Sequence, residues 1–129
     1  MRWFQSLCNL VRNERGVAAL EFAFVVPMLL SLTLGGMQYG LLLFVQSSMY
    51  NAARDGSRTY ITGQTTAAAA TIAKGELPTW VQNAGSLSVI VKDLGSMVAT
   101  TISVSSASAA IVTMVPMPGN ISATVYMAK

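Results

Sequence analysis

Phe22-Ala23-Phe24-Val25-Val26-Pro27-Met28-Leu29-Leu30-Ser31-Leu32-Thr33-Leu34-Gly35-Gly36-Met37-Gln38-Tyr39-Gly40-Leu41-Leu42-Leu43-Phe44-Val45 is an apolar run in which only the phenol of Tyr39 is ionisable. At about 1.5 Å per residue it forms a helix of roughly 36 Å, enough to cross a hydrocarbon core of about 30 Å. Arg2, Arg12 and Arg15 precede it. The positive-inside rule then places the N-terminus in the cytoplasm and the bulk of the chain outside. A single span with the C-terminus out is the predicted topology.

Composition points the same way. Of the 129 residues, 53% are hydrophobic and only 10% are charged, far from the balance of an ordinary soluble domain. The net charge is +3, but the eight Lys and Arg residues form no cluster, which speaks against nucleic acid as a partner. There is no histidine and one cysteine, Cys8, so neither a His- or thiolate-based metal site nor a disulfide framework has the residues it needs. No cofactor and no small-molecule substrate are expected.

One carboxylate interrupts the apolar region near its start. Glu21 lies within Glu14-Arg15-Gly16-Val17-Ala18-Ala19-Leu20-Glu21-Phe22 and is the only charged residue between Val17 and Val45. An acid near the end of a membrane-length helix is costly to bury and marks a functional position. A cleaved secretory signal shares the outline of a basic start and apolar core, but Glu21 would fall inside that core and the apolar run continues through Leu41 to Val45. The alternative that stays open is an uncleaved single-pass protein presenting a small extracytoplasmic domain for binding or scaffolding.

Pro27 removes one backbone donor within the span, and a kink or a locally loosened helix is expected there. Gly36-Met37-Gln38-Tyr39-Gly40 is a GxxxG pattern, whose spacing lets a second helix approach closely. Beyond Val45 the helical pattern continues. Val45, Met49, Ala52, Ala53 and Gly56 recur at three- and four-residue steps as one small or apolar face, and the helix is predicted to end near Tyr60 to Gly63. Arg54, Asp55 and Arg58 are either a solvated or interfacial face or contacts to a neighbouring subunit.

After Gly63, a Thr opening, an alanine run and Lys74-Gly75 give the start and stop of a short helix, and Pro78 blocks its continuation. The period then changes to two. Leu87, Val89 and Val91 alternate with Ser88, Ile90 and Lys92, and Val98, Thr100, Ile102 and Val104 alternate with small and polar residues. Asp93-Leu94-Gly95-Ser96 is a turn joining these two strands as a hairpin. Ile121, Ala123, Val125 and Met127 give a closing strand, while Ala109 to Val115 is apolar but ambiguous. The expected architecture is α+β: a long N-terminal transmembrane helix, then a small antiparallel β-sheet head domain with one short helix. Its acids, Glu76 and Asp93, fall in different elements with no histidine to complete a proton relay, so an enzyme is not expected.

With Glu14-Arg15-Gly16, then Val17-Ala18-Ala19-Leu20-Glu21-Phe22, an apolar helix with an early proline, and Asn51-Ala52-Ala53-Arg54-Asp55-Gly56-Ser57-Arg58, the chain resembles the TadE-like pseudopilins. These belong to the tight-adherence (Tad, or Flp) pilus systems of bacteria. The resemblance covers about Arg12 to Arg58 and is only general beyond. It implies that a membrane prepilin peptidase cuts after Gly16, removing residues 1–16 and leaving Val17 as the new N-terminus. Glu21 becomes the fifth residue of the mature chain, and Phe22 stands where the family has an aromatic.

The implied organisation is a removed cytoplasmic leader (1–16), a long helix (17–62, spanning at about 22–45) and an exported α+β domain (63–129). The implied partners are the membrane, the peptidase, other pilin and pseudopilin subunits, and the pilus assembly machinery. The implied location is the cytoplasmic (inner) membrane, or the extracellular pilus once assembled. Cutting after Gly16 would create an ammonium at Val17, one helical turn from Glu21, and pairing of the two, within one subunit or between neighbours, would neutralise both.

Overall fold

The computed structural model describes residues 14–110 and 116–129, with side chains from Gly16 onward. Cys8, Arg2 and Arg12 of the leader, and residues 111–115 of the ambiguous apolar segment, lie outside the described residues. One helix, α1 (Glu14–Ile61), occupies the first half of the chain and continues through Pro27. It ends as the sequence predicts. Gly63, at φ +96°, donates to Tyr60 O at 3.0 Å, and Gln64 donates to Thr59 O at 3.4 Å, a glycine-terminated cap that satisfies the last carbonyls.

The chain divides into two compact units, Met1–Gly35 and Gly36–Lys129. Within the second, α1 presents a buried stripe of Gln38, Leu42, Val45, Met49, Ala52, Ala53, Gly56 and Ser57. The three- and four-residue steps of this stripe form one helix face, so the small and apolar face expected from Val45 to Gly56 is the face that makes the core. The stripe begins earlier than that expectation. Leu42 and Val45, which the hydropathy reading assigns to the span, belong to the core cluster of the C-terminal unit.

Helix α2 (Thr66–Gly75) starts at Thr65, whose hydroxyl accepts from the Ala68 amide at 3.2 Å, and buries Ala69 and Ala73. Alanine at these positions permits a close approach to α1. A Cβ built on Gly56 would lie 3.0 Å from Ala73 Cβ and 3.3 Å from the Ala69 carbonyl oxygen. Pro78 does stop α2, and it then serves as the N-cap of a further turn, α3 (Thr79–Gln82), which was not expected. Gln82 Nε2 turns back to donate to Leu77 O at 2.6 Å and Gly75 O at 3.1 Å, occupying carbonyls that the end of α2 leaves free.

The sheet comprises β1 (Ser88–Asp93), β2 (Met97–Ser105) and β3 (Asn120–Ala128), in the order β1-β2-β3 and antiparallel throughout. The register sets Val89 opposite Ile102 and Ile102 opposite Ala123, and sets Val91, Thr100 and Val125 in the next inward row. Val98, Thr100, Ile102 and Val104 are all buried, as their alternation predicts. A second unexpected turn, α4 (Ser106–Ala109), follows β2 directly. Ser105 caps it by accepting from the Ser108 amide at 3.2 Å, and Ser106 donates to the Pro118 carbonyl. The fold is therefore α+β, with three strands, one long helix and three short ones among the described residues.

A buried polar contact joins the long helix to the sheet. Ser57 Oγ and Thr100 Oγ1 are fully buried and 2.8 Å apart, joining the last turns of α1 to the middle strand. Each hydroxyl satisfies the other, which avoids the roughly 1–3 kcal/mol cost of an unpaired buried group.

Candidate functional site

Within the N-terminal unit, α1 shows apolar side chains on every side. Val17, Leu20, Phe22, Phe24, Val25, Met28, Leu29, Leu30 and Leu32 are exposed, Phe22 at 69% and Met28 at 79%. At about 1.5–3 kcal/mol for each large side chain left in water, these nine amount to roughly 13–27 kcal/mol. Nine large apolar side chains side by side form an exposed apolar surface of the kind that marks a membrane or protein contact. The helix is long and apolar enough to span a membrane, and none of its most apolar window is buried. Burial inside a soluble core therefore does not account for its composition.

The predicted processing and assembly residues all lie on this helix. Gly16 and Val17 are in its first turns and exposed, and a Cβ built on Gly16 meets nothing within 4 Å. Glu21 follows Val17 by one turn and is exposed, with no hydrogen bond or ion pair from any described residue. From residue 22 to residue 53 there is no Asp, Glu, Lys or Arg. Phe22 adjoins Glu21 on the exposed surface. After Pro27, Ser31 Oγ donates to Pro27 O at 2.7 Å and Thr33 Oγ1 to Leu29 O at 2.8 Å, so these two hydroxyls are satisfied by the helix itself.

In the C-terminal unit, Gly36 and Gly40 are exposed, and a Cβ built on either meets nothing within 4 Å. The fold itself does not require them to be glycine, in contrast to Gly56. Arg54 and Arg58 are exposed and Asp55 is half-buried, and their side chains make no ion pair among the described residues. The residues predicted for processing and assembly are thus spread along one helix and are not gathered into a pocket.

The sequence reading missed one polar cluster. Asp93 Oδ2 accepts from Tyr60 Oη at 2.7 Å and from Lys129 Nζ at 2.5 Å, while Asp93 Oδ1 accepts from the Gly95 amide at 2.8 Å. The Lys129 ammonium also lies 5.4 Å from the centre of the Tyr60 ring. Asp93 and Gly95, at φ +86°, were legible as a turn, but the two distant partners were not. Donation from Lys129, then Tyr60, then Gly95 lowers the Asp93 carboxyl to about 2. The same carboxylate raises both Tyr60 and Lys129. The cluster ties the end of α1 to the β1–β2 turn and to the residue after β3.

Comparison with known families now has a geometry to refer to. Residues 16–58 match the family of TadE-like proteins. The match starts at the glycine before Val17 and stops at Arg58, so the TadE-like part is α1 and ends before the sheet begins. It agrees with the resemblance carried by Gly16, Glu21 and Arg54 to Arg58. An exposed apolar helix with a TadE-like sequence marks a membrane-anchored, pilin-like protein associated with a Tad pilus. No curated protein and no solved structure matches the chain.

Proposed function

We propose that a prepilin peptidase cuts this chain after Gly16 and that the mature protein is a structural, non-enzymatic subunit in the biogenesis or architecture of an adhesive Tad-type pilus. Before assembly it is held in the cytoplasmic membrane by α1, with its C-terminal unit outside. Its partners are the peptidase, other pilin and pseudopilin subunits, and the assembly machinery. The observation that carries this reading is Glu21: an exposed acid without a partner among the described residues, five residues after Gly16 and the sole Asp, Glu, Lys or Arg between residues 16 and 53.

Physical chemistry gives this spacing a purpose. Cleavage frees an ammonium at Val17, and neither that charge nor Glu21 is tolerable alone in lipid or between packed helices. One turn of helix separates them, so one chain, or two chains in register, can bring them together. Separating a buried pair by removing one partner costs about 3–5 kcal/mol. Cleavage and assembly are linked through this pair, because only the cut chain carries the amine.

Expression of the full chain with and without a prepilin peptidase, followed by intact mass and N-terminal sequencing of membrane extracts, tests the reading. A start at Val17 only when the peptidase is present supports it. A start at Met1 in both supports an uncleaved anchor, and a start beyond Gly36 supports a secreted module.

A further inference from the structure

The C-terminal unit carries its charge at one end. No Asp, Glu, Lys or Arg occurs from residue 36 to residue 53 or from residue 94 to residue 128. The charges that remain lie away from Gly36, where α1 enters the unit. Arg54, Asp55 and Arg58 follow Phe44 on α1 by ten residues or more, at least about 15 Å along the axis. Lys74 and Glu76 lie at the end of α2, whose Ala73 faces Gly56. Lys92 adjoins Asp93, which with Lys129 meets Tyr60 near the end of α1.

The opposite end is uncharged and closes its polar groups on itself. Tyr39 Oη donates to Pro116 O at 3.3 Å, which sets the approach to β3 at the level of residue 39 on α1. Helix α3 lies against α4. Ser86 Oγ donates to Ser108 Oγ and accepts from the Ser105 amide, both at 3.2 Å. Ser105 Oγ lies 3.0 Å from Ser108 Oγ, and Ser106 donates to the Pro118 carbonyl. Trp80, Ala107, Pro118 and Asn120 are exposed around these contacts. At the same level of α1, Met37, Leu43 and Phe44 are exposed. The exposed apolar surface of the helix thus runs five residues beyond Tyr39, about 7–8 Å.

We propose that this uncharged end of the C-terminal unit rests in the interface of the bilayer that α1 spans, a second lipid contact made by Tyr39, Trp80, α4 and the residues leading into β3. The proposal rests on the reading of α1 as a membrane anchor. Continuity with that anchor selects lipid as the occupant. Lipid that covers Leu43 and Phe44 on one side of α1 also reaches the level of Tyr39 and Pro116 beside it. The resulting immersion of about 7–8 Å is that of interfacial segments, which lie about 5–10 Å deep. Hydroxyls that bond within the unit can leave water, as this depth requires. Trp and Tyr are the side chains favoured there, with the ring in the apolar zone and the polar atom toward the headgroups. No Lys or Arg lies at this end, so the contact needs no anionic lipid and does not respond to salt.

Depth measurement on the full chain tests this. Protein carrying Cys8→Ser and either Ala107→Cys or Asn120→Cys is labelled with a nitroxide and reconstituted in phosphatidylcholine vesicles. Leu30→Cys in the apolar segment and Ser96→Cys in the β1–β2 turn, both exposed, serve as lipid and water references. Power saturation is read with oxygen, which partitions into lipid, and with a nickel chelate, which stays in water. The oxygen-to-nickel accessibility ratio at positions 107 and 120 is expected to be several-fold above that at position 96, to lie between the two references, and to be unchanged in high salt. Ratios equal to that at position 96, with position 30 lipid-like, overturn the contact alone. Low accessibility to both reagents overturns it in favour of a protein partner on this end. A label at position 30 as open to nickel as the one at position 96 overturns the anchor reading and the contact with it. None of these outcomes depends on where the N-terminus is cut, so the processing measurement stays independent.

Discussion

Replacing Gly56 and Gly40 by alanine, one at a time, should move stability in opposite directions. In the middle of a helix the change from glycine to alanine stabilises by about 0.4–1 kcal/mol, mainly by restricting the unfolded chain. Gly40 should show that gain undiminished, since a Cβ there meets nothing within 4 Å. At Gly56 the new Cβ would stand 3.0 Å from Ala73 Cβ, 3.3 Å from the Ala69 carbonyl oxygen and 3.5 Å from Thr100 Cγ2. The carbonyl belongs to helix α2 and cannot rotate away, so the helix must shift, at the cost of about 1–3 kcal/mol typical of overpacking. Gly40→Ala is therefore expected to be stabilised by up to about 1 kcal/mol and Gly56→Ala to be destabilised by up to about 2 kcal/mol. At about 4–8 °C per kcal/mol for a unit of this size, the two melting temperatures should be separated by several degrees with opposite signs. Thermal unfolding in detergent, followed by near-ultraviolet circular dichroism, reads this directly. A rise for Gly56→Ala equal to that for Gly40→Ala would refute the close packing of α1 on α2.

Two other outcomes follow from particular side chains. Glu21→Ala should still be cut after Gly16 but should enter pili poorly, because the Val17 amine loses its counter-charge; the ratio of mature chain in membranes to that in sheared pili measures this, and wild-type incorporation would remove the pairing role. Asp93 has a folded value near 2, below its ordinary 3.8, so the stability it contributes is present above about pH 4 and is lost as pH falls through about 2. Asp93→Asn should flatten the melting temperature between pH 4 and pH 2, and a slope parallel to the wild type would show that the contacts with Tyr60 and Lys129 contribute nothing.

Much of the fold was legible because its signals are periodic. The small face from Val45 to Gly56 and the inward residues of β2 both follow from period alone, since each lies against one surface only. The extra turns α3 and α4 were not legible, because four residues are too few to show a period and each depends on a local cap, at Pro78 and at Ser105. The division of α1 also escaped hydropathy. Leu42 looks identical to Leu29 and Leu30 in sequence, and only tertiary packing separates a residue buried by its own unit from one exposed on the helix. Glu21, Arg54 and Arg58 stand out in the sequence as charges beside an uncharged stretch, and Gly16 is singled out through the resemblance to TadE-like proteins. The Tyr60, Asp93 and Lys129 cluster is not conspicuous in this way, since Asp93 lies more than thirty residues from either partner and the three meet only through tertiary structure.

The central claim is that the bond after Gly16 is cut and that the exposed amine of Val17 then meets Glu21. Intact mass with N-terminal sequencing of the chain recovered from membranes, in the presence and absence of a prepilin peptidase, tests the first half most directly. A peptidase-dependent start at Val17 is the predicted result. A chain that still begins at Met1 with active peptidase present would contradict it.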